Sequence, residues 1–295
     1  MTQAPSRLET ADDLTTEPVP RKGRRLRRVR QTPRSTLTRG AGLSLGIAMI
    51  WFSLLVLLPL AAIVAKAAEG GWSNYLHVIG DDQTWAAVTL TVTQAALVTL
   101  LNVVVGTVIA WVLVRDHFPG KALLDVIIDV PFALPTIVAG LVLLSLYGPQ
   151  SPLGVDVANT RISVFMALAF VTLPFIVRTV QPVLEELEAD VEEASASLGA
   201  NRLTTFRRII LPSLVPAIAA GAALSFARGI SEYGSLVLLS GNLPNRTEVA
   251  SVRVYSSIEG GNPQSAAAVA TILLLVALVA IITFDLIQRR LARRG

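Results

Sequence analysis

The sequence predicts an all-α integral membrane protein whose single domain crosses the bilayer as six transmembrane helices. Three observations predict it. The 295 residues are 53% hydrophobic, with a mean hydropathy of +0.61. Six apolar runs, at 42–65, 85–114, 122–147, 162–180, 213–239 and 266–287, reach the ~18 residues that mark a bilayer span, and a ~30 Å core needs about 20 helical residues. The cationic residues are also sorted: 20 Lys and Arg, counting Arg178 at the end of the fourth run, fall in the tails and alternate connections of one side and four in the other connections. Lys and Arg accumulate on the cytoplasmic side of a membrane protein. That asymmetry therefore predicts that both termini are cytoplasmic.

The elements follow in order. Residues 1–40 are rich in Pro, Thr and charge, a composition that cannot bury a core, so a disordered basic tail is expected. Its RKGRRLRRVR run abuts a membrane span and reads as a cytoplasmic flank near anionic lipid, not as a nucleic-acid patch. The first span lies behind 40 polar residues and is too long for the apolar region of a cleaved signal peptide. The membrane domain then occupies 41–290, with a polar loop at 183–212, and 291–295 forms a second cytoplasmic tail.

Polar groups inside the spans are expensive and should face protein or water. Gln94 and Asn102 in the second span are placed inward on that ground. Pro131 and Pro135 interrupt the third span, because proline frees carbonyls and kinks a membrane helix. Asp129 precedes the kink, and Asp125 lies one turn earlier on the same face. In the fifth span Arg228 and Glu232 stand four residues apart and should pair. Gly229 and Gly234 let that helix bend or let another pack closely.

The polar loop contains EEASASLGANRLTTFRRIILP at 192–212. Leu184, Leu187, Val191, Ala194 and Leu198 are spaced as one helical stripe, flanked by Glu185, Glu186, Glu188, Asp190, Glu192 and Glu193. Gly199 stops this helix. A second short helix carries Leu203, Phe206 and Ile210 on one side and Arg202, Arg207 and Arg208 on the other. Pro212 suits the first turn of the next element. Two amphipathic helices meeting at a glycine corner could rest on lipid, but an anionic leaflet repels six carboxylates, so a protein partner is the expectation.

Several chemistries are excluded. The chain has no Cys, hence no disulfide, zinc thiolate or redox centre. His77 and His117 are far apart in loops and do not suggest a metal site, and no cofactor is expected. Gly120-Lys121-Ala122 lacks the glycine spacing and the hydroxyl residue of a phosphate-binding loop, so the chain should not hydrolyse ATP itself. Asn245-Arg246-Thr247 fits a glycosylation pattern, which is given no weight.

The loop resembles the E-A-A-x3-G-x9-I-x-L-P segment of the membrane subunits of bacterial ABC importers. Glu193, Ala194, Gly199, Ile209, Leu211 and Pro212 sit at every spacing, with Ser195 replacing the second alanine. The resemblance implies that these residues dock into a separate ATP-hydrolysing subunit and couple it to transport. The stretches DVPFALPTIVAG at 129–140 and SFARGISEYGSLVLLSGNLP at 225–244, followed by Thr247-Glu248, resemble permeases for tetrahedral oxyanions. Among them the T-type sulfate/thiosulfate subunit is the most similar. The resemblance covers about 40–290 and leaves the basic tail outside.

It implies a permease subunit of a bacterial plasma-membrane importer for sulfate, with thiosulfate also carried. The implied partners are ABC ATPase subunits, a second permease of the W-type forming a heterodimer, and an extracytoplasmic sulfate-binding protein. It also places Arg228, Glu232, Gly234, Asp129, Pro131 and Pro135 at the anion path or its gate. Arg228 either lies beside the anion or forms a structural ion pair that holds spans together. Asp129 would repel sulfate, so it is expected to act as a hinge or as a charge partner of Arg228. A molybdate or tungstate permease is the alternative within the class. An ion-coupled secondary transporter would need an intramembrane charge relay and an inverted repeat, and neither is visible in the sequence.

Overall fold

The computed structural model describes residues 39–187 and 189–292, so the expected tail at 1–40 falls, but for its last two residues, outside the described residues. Every element among the described residues is helical. They belong to two units, 1–52 and 53–295. The first contributes helix α1 (Arg39–Phe52). The second opens on a π-helical turn, Ser53–Leu57, and α2 (Leu58–Glu69). The 29-residue stretch Ala41–Glu69 is apolar and long enough to span.

After α3 (Gly71–Gly80) comes α4 (Asp82–Arg115), the longest helix at 34 residues. Asp81 caps it by accepting from the Thr84 amide at 2.9 Å, and it holds Arg253 at 3.0 Å. Burial pulls the Asp81 carboxyl upward, but the Thr84 hydroxyl and amide and the Arg253 guanidinium together hold it below its ordinary range. Next are α5 (Lys121–Ala133) and α6 (Thr136–Tyr147), bent by 115° at the break between them. Then α7 (Arg161–Glu186) packs along α4.

The bent pair decides the span count. Its halves are roughly 20 Å and 18 Å long at 1.5 Å per residue, too short singly for a ~30 Å core. Ile128 on α5 joins an apolar cluster with Leu113, Ile176, Val177 and Leu184. Leu143 on α6 joins a different one with Leu90, Val164 and Leu168. These clusters lie at opposite ends of α7, so α5 and α6 together make one crossing, antiparallel to α7. With the five unbroken stretches, the expected six spans result.

The polar loop and fifth span depart from expectation in three ways. The helix predicted from Leu184 onward is two pieces: α7 ends at Glu186, and α8 (Ala189–Ser197) begins after a bend at Leu187. Leu184 is fully buried in the bundle core while Leu198 is 88% exposed, so no single stripe joins them. The second amphipathic helix is not separate from the following span. Helix α9 (Arg202–Thr205), a π-helical turn at Phe206–Ile210 and α10 (Leu211–Ile230) form one 29-residue stretch. The wide turn, in which the Leu211 amide reaches the Phe206 carbonyl, accommodates Pro212 immediately after it. Finally, the fifth span stops at Ile230, not Leu239. Residues 231–233 break it, and α11 (Gly234–Leu239) is a short separate helix. Helices α12 (Ala250–Glu259) and α13 (Pro263–Ala292) complete the chain, α13 against α10 and α2.

Asn102 is buried as expected and donates to the Thr172 hydroxyl at 2.9 Å. Gln94 is half-buried, with its Oε1 enclosed and unpaired.

Candidate functional site

Two regions gather the residues singled out by the sequence. At one end of the bundle is the corner between α8 and α9. Gly199 has φ +83° and open space where a Cβ would stand. Glycine is required there by backbone conformation, not by crowding. The amides of Leu198 and Ala200 return to Ala194 and Ser195 carbonyls at 3.1 Å each. Asn201 then caps α9 through the Thr204 amide at 2.8 Å.

Across this corner Ser195 and Thr205, both buried, share a hydroxyl hydrogen bond of 2.5 Å. The residue that departs from the E-A-A pattern thus fastens α8 to α9. Glu193 and Ala194 are exposed, Ile209 and Leu211 half-buried, and Pro212 exposed. Arg202, Arg207 and Arg208 face outward, as expected from their spacing. Phe206 and Ile210 turn into the bundle beside Leu214 and Val180. Leu203, expected with them, is 62% exposed. Behind the corner is a cavity of about 520 Å³ lined by Glu193, Arg202, Phe206, Trp111 and Arg115, among others.

The second region is where the two interrupted helices meet. The break between α5 and α6 has Pro131 inside α5 and Pro135 as the N-cap of α6. The break at 231–233 leads into α11, which packs against α6. A Cβ on Gly234 would stand 2.8 Å from the Ile137 amide nitrogen, and one on Gly140 would stand 2.6 Å from the Ser235 carbonyl oxygen. Backbone meets backbone at both positions, and at Gly234 the Thr136 hydroxyl stands nearer still.

Glu232 sits in the second break, 1% exposed. Its Oε1 accepts from the Ser235 amide and hydroxyl at 2.9 Å each, capping α11. Its Oε2 lies 2.8 Å from Nη2 of Arg228 without an aligned hydrogen bond. The Glu232 carbonyl accepts from the Ser251 hydroxyl at 2.6 Å, tying in α12. Arg228 and Glu232 therefore pair as their spacing suggests. The Arg228 side chain keeps 32% of its surface open while that of Glu232 has none.

Asp129 is not a partner of Arg228. Both its oxygens hold Arg178, at 2.7 Å to Nε and 2.7 Å to Nη2, and Asp125 holds the same guanidinium at 2.7 Å. In the sequence Arg178 stands only as one of the cations on the cytoplasmic side, at the end of the fourth run. The i,i+4 spacing of the two aspartates announced a cation on their face, but its position 49 residues beyond Asp129 carried no signal.

The profile described as "Binding-protein-dependent transport system inner membrane component" matches residues 102–294. The chain is 40% identical to the sulfate transport system permease protein CysT of Salmonella typhimurium over 262 residues, 86% of this chain and 95% of that relative. It is likewise 40% identical to the CysT of Synechocystis over 250 residues, 82% and 87% of the two. Among solved structures it is similar to a chain of a bacterial alginate ABC transporter, with a TM-score of 0.70 and 18% identity, covering 84% of this chain and 93% of that one. A chain of an amino acid ABC transporter matches with a TM-score of 0.52 and 17% identity, covering 70% and 94%. At such identities these two likenesses speak for the fold alone. Fold, profile and relatives agree: the chain belongs to the family of binding-protein-dependent transport system inner membrane components.

Proposed function

We propose that this chain is the membrane-spanning permease subunit of an ATP-driven importer for sulfate, with thiosulfate as a second substrate. The observation that carries the reading is the likeness to sulfate permeases over 86% of the chain and 95% of the relative. The corner at Gly199 supports it by supplying a place for an ATPase to dock. The partners are two ATPase subunits, a second permease of the W-type and an extracytoplasmic sulfate-binding protein. Both termini and the corner face the cytoplasm, in keeping with the cationic asymmetry.

The geometry supports a way to couple the two sides. An ATPase that closes on ATP displaces α8 and α9, docked through Glu193, Ala194 and the corner. Helix α9 continues without interruption into α10, so the displacement passes along a stretch of roughly 44 Å at 1.5 Å per residue. Its far end is the break that holds Arg228 and Glu232. A guanidinium offers planar donors suited to an oxyanion, and Arg228 keeps an open face beside that break. The cycle alternates access around this point and moves sulfate inward.

Purification of the assembled complex tests the reading. An ATPase and a second permease should co-purify, and sulfate with its binding protein should stimulate hydrolysis. Stimulation by molybdate or tungstate alone would move the assignment to that class of oxyanion.

A further inference from the structure

Arg178 makes five hydrogen bonds, more than any other side chain described above. Besides the bidentate pair with Asp129 and the contact with Asp125, its Nη2 donates to the Asp125 carbonyl at 2.9 Å and its Nη1 to Gln181 Oε1 at 2.6 Å. Gln181 in turn donates to Glu185 at 3.0 Å. Just beyond, α7 ends at Glu186 and the chain bends at Leu187 toward α8, where the Leu187 carbonyl accepts from Arg115 at 3.4 Å. Polar contacts thus run from the middle of α5 to Glu185 in the last turn of α7, two residues short of the bend.

The two halves of the broken span are held differently. Helix α6 is fixed by close backbone approach to α11 at Gly140 and Gly234. Helix α5, on the other side of Leu134 and Pro135, is tied to α7 through this guanidinium and an apolar patch around Ile128. The side chains of Asp125 and Asp129 remain 43% and 49% exposed. Half-open carboxylates in a membrane-crossing helix face water or protein, not lipid. Pro182, four residues past Arg178, has no N–H for the Arg178 carbonyl, which softens α7 at the same level.

We propose that Arg178 is a positioning residue for transport: it ties α5 to the loop end of α7, so that loop displacement swings α5 about Leu134–Pro135 while α6 stays seated on α11. The proposal rests on the reading of the α8–α9 corner as the coupling element. Charge-assisted, bidentate hydrogen bonds are both strong and directional, which a tie that transmits motion requires. Lysine at this position keeps the charge but loses the planar fork.

The test uses the whole complex in proteoliposomes, purified through the ATPase so that only assembled material is counted. Arg178→Lys and Asp129→Asn should keep ATP hydrolysis within about twofold and lower sulfate imported per ATP about tenfold, the equivalent of one charge-assisted hydrogen bond. Spin labels on introduced cysteines at the exposed Leu123 and Leu141, in a chain with no native Cys, read the angle between α5 and α6. Their separation should change with nucleotide in the parent protein and cease to change in Arg178→Lys.

Unchanged import per ATP, or hydrolysis and import falling in proportion, would overturn the proposal. So would failure of both variants to assemble, which would make the cluster a folding element. Glu193→Lys in the same assay separates the two levels. Should it dock and transport normally, the coupling reading fails, whatever Arg178 does. Should it lose docking while Arg178→Lys transports normally, the tie alone fails.

Discussion

Gly140 and Gly234 hold two interrupted helices in reciprocal backbone contact: each lies where a Cβ would come within 3 Å of the other helix's main chain. At Gly140 the space is closed by backbone, which cannot step aside as a side chain can; at Gly234 the Thr136 hydroxyl closes it together with the Thr136–Ile137 main chain.

Gly140→Ala and Gly234→Ala should therefore each destabilise the protein by about 1–3 kcal/mol, the range for inserting a methyl into a packed site. Thermal unfolding of the detergent-solubilised complex reads the effect. Gly80→Ala, in α3 with nothing within 4 Å of its Cβ position, is the control and should leave the transition in place.

The corner makes a different demand. Gly199 is uncrowded but left-handed, so any side chain there carries about 1–2 kcal/mol of backbone strain, and a β-branched one more. Gly199→Val should keep the chain inserted and abolish uptake, and Glu193→Lys should do the same by reversing charge on the exposed side of α8. Membrane fractionation and uptake of labelled sulfate check both. Normal uptake by either would remove the coupling role from this corner.

The Arg228–Glu232 pair has two meanings that one set of variants separates. Arg228→Leu strands a carboxylate with no exposed surface, and an uncompensated buried charge costs about 3–5 kcal/mol; the open third of Arg228 points to the lower end. The double variant Arg228→Leu with Glu232→Leu should restore protein level. If transport stays absent, the arginine serves the anion path. If transport returns, the pair only holds α10 and α11 together.

Topology is open to direct measurement. Reporters fused at Gln31, His117, Asn201 and Gly295 should all report the cytoplasm, and one at Asn262 the outside. An outside signal at Asn201 would place the corner where no ATPase can reach it.

Much of this was legible in the sequence, and the exceptions share a cause. Apolar runs of sufficient length must cross the bilayer, so the spans were fixed by composition. Pro131 and Pro135 announced the break in the third span because proline's missing N–H acts locally. The second break was hidden: Ser231, Glu232 and Tyr233 lie in a run that reads as one helix, and only the capping of α11 by Glu232 shows where it ends. Arg178 was misread for a related reason. Its partners are remote in sequence, and i,i+4 arithmetic sees one helix at a time. Likewise Ser195 looked like a tolerated exception to a pattern until Thr205 was found across the corner.

The central claim is that this chain forms the path of an ATP-driven sulfate importer, and accumulation against a gradient tests it most directly. The complex is reconstituted into vesicles with ATP at the face of the corner and with labelled sulfate and the binding protein at the other. The account predicts concentrative uptake that requires ATP and is lost in Gly199→Val. Sulfate uptake that persists without ATP hydrolysis, or follows an imposed ion gradient instead, would contradict it.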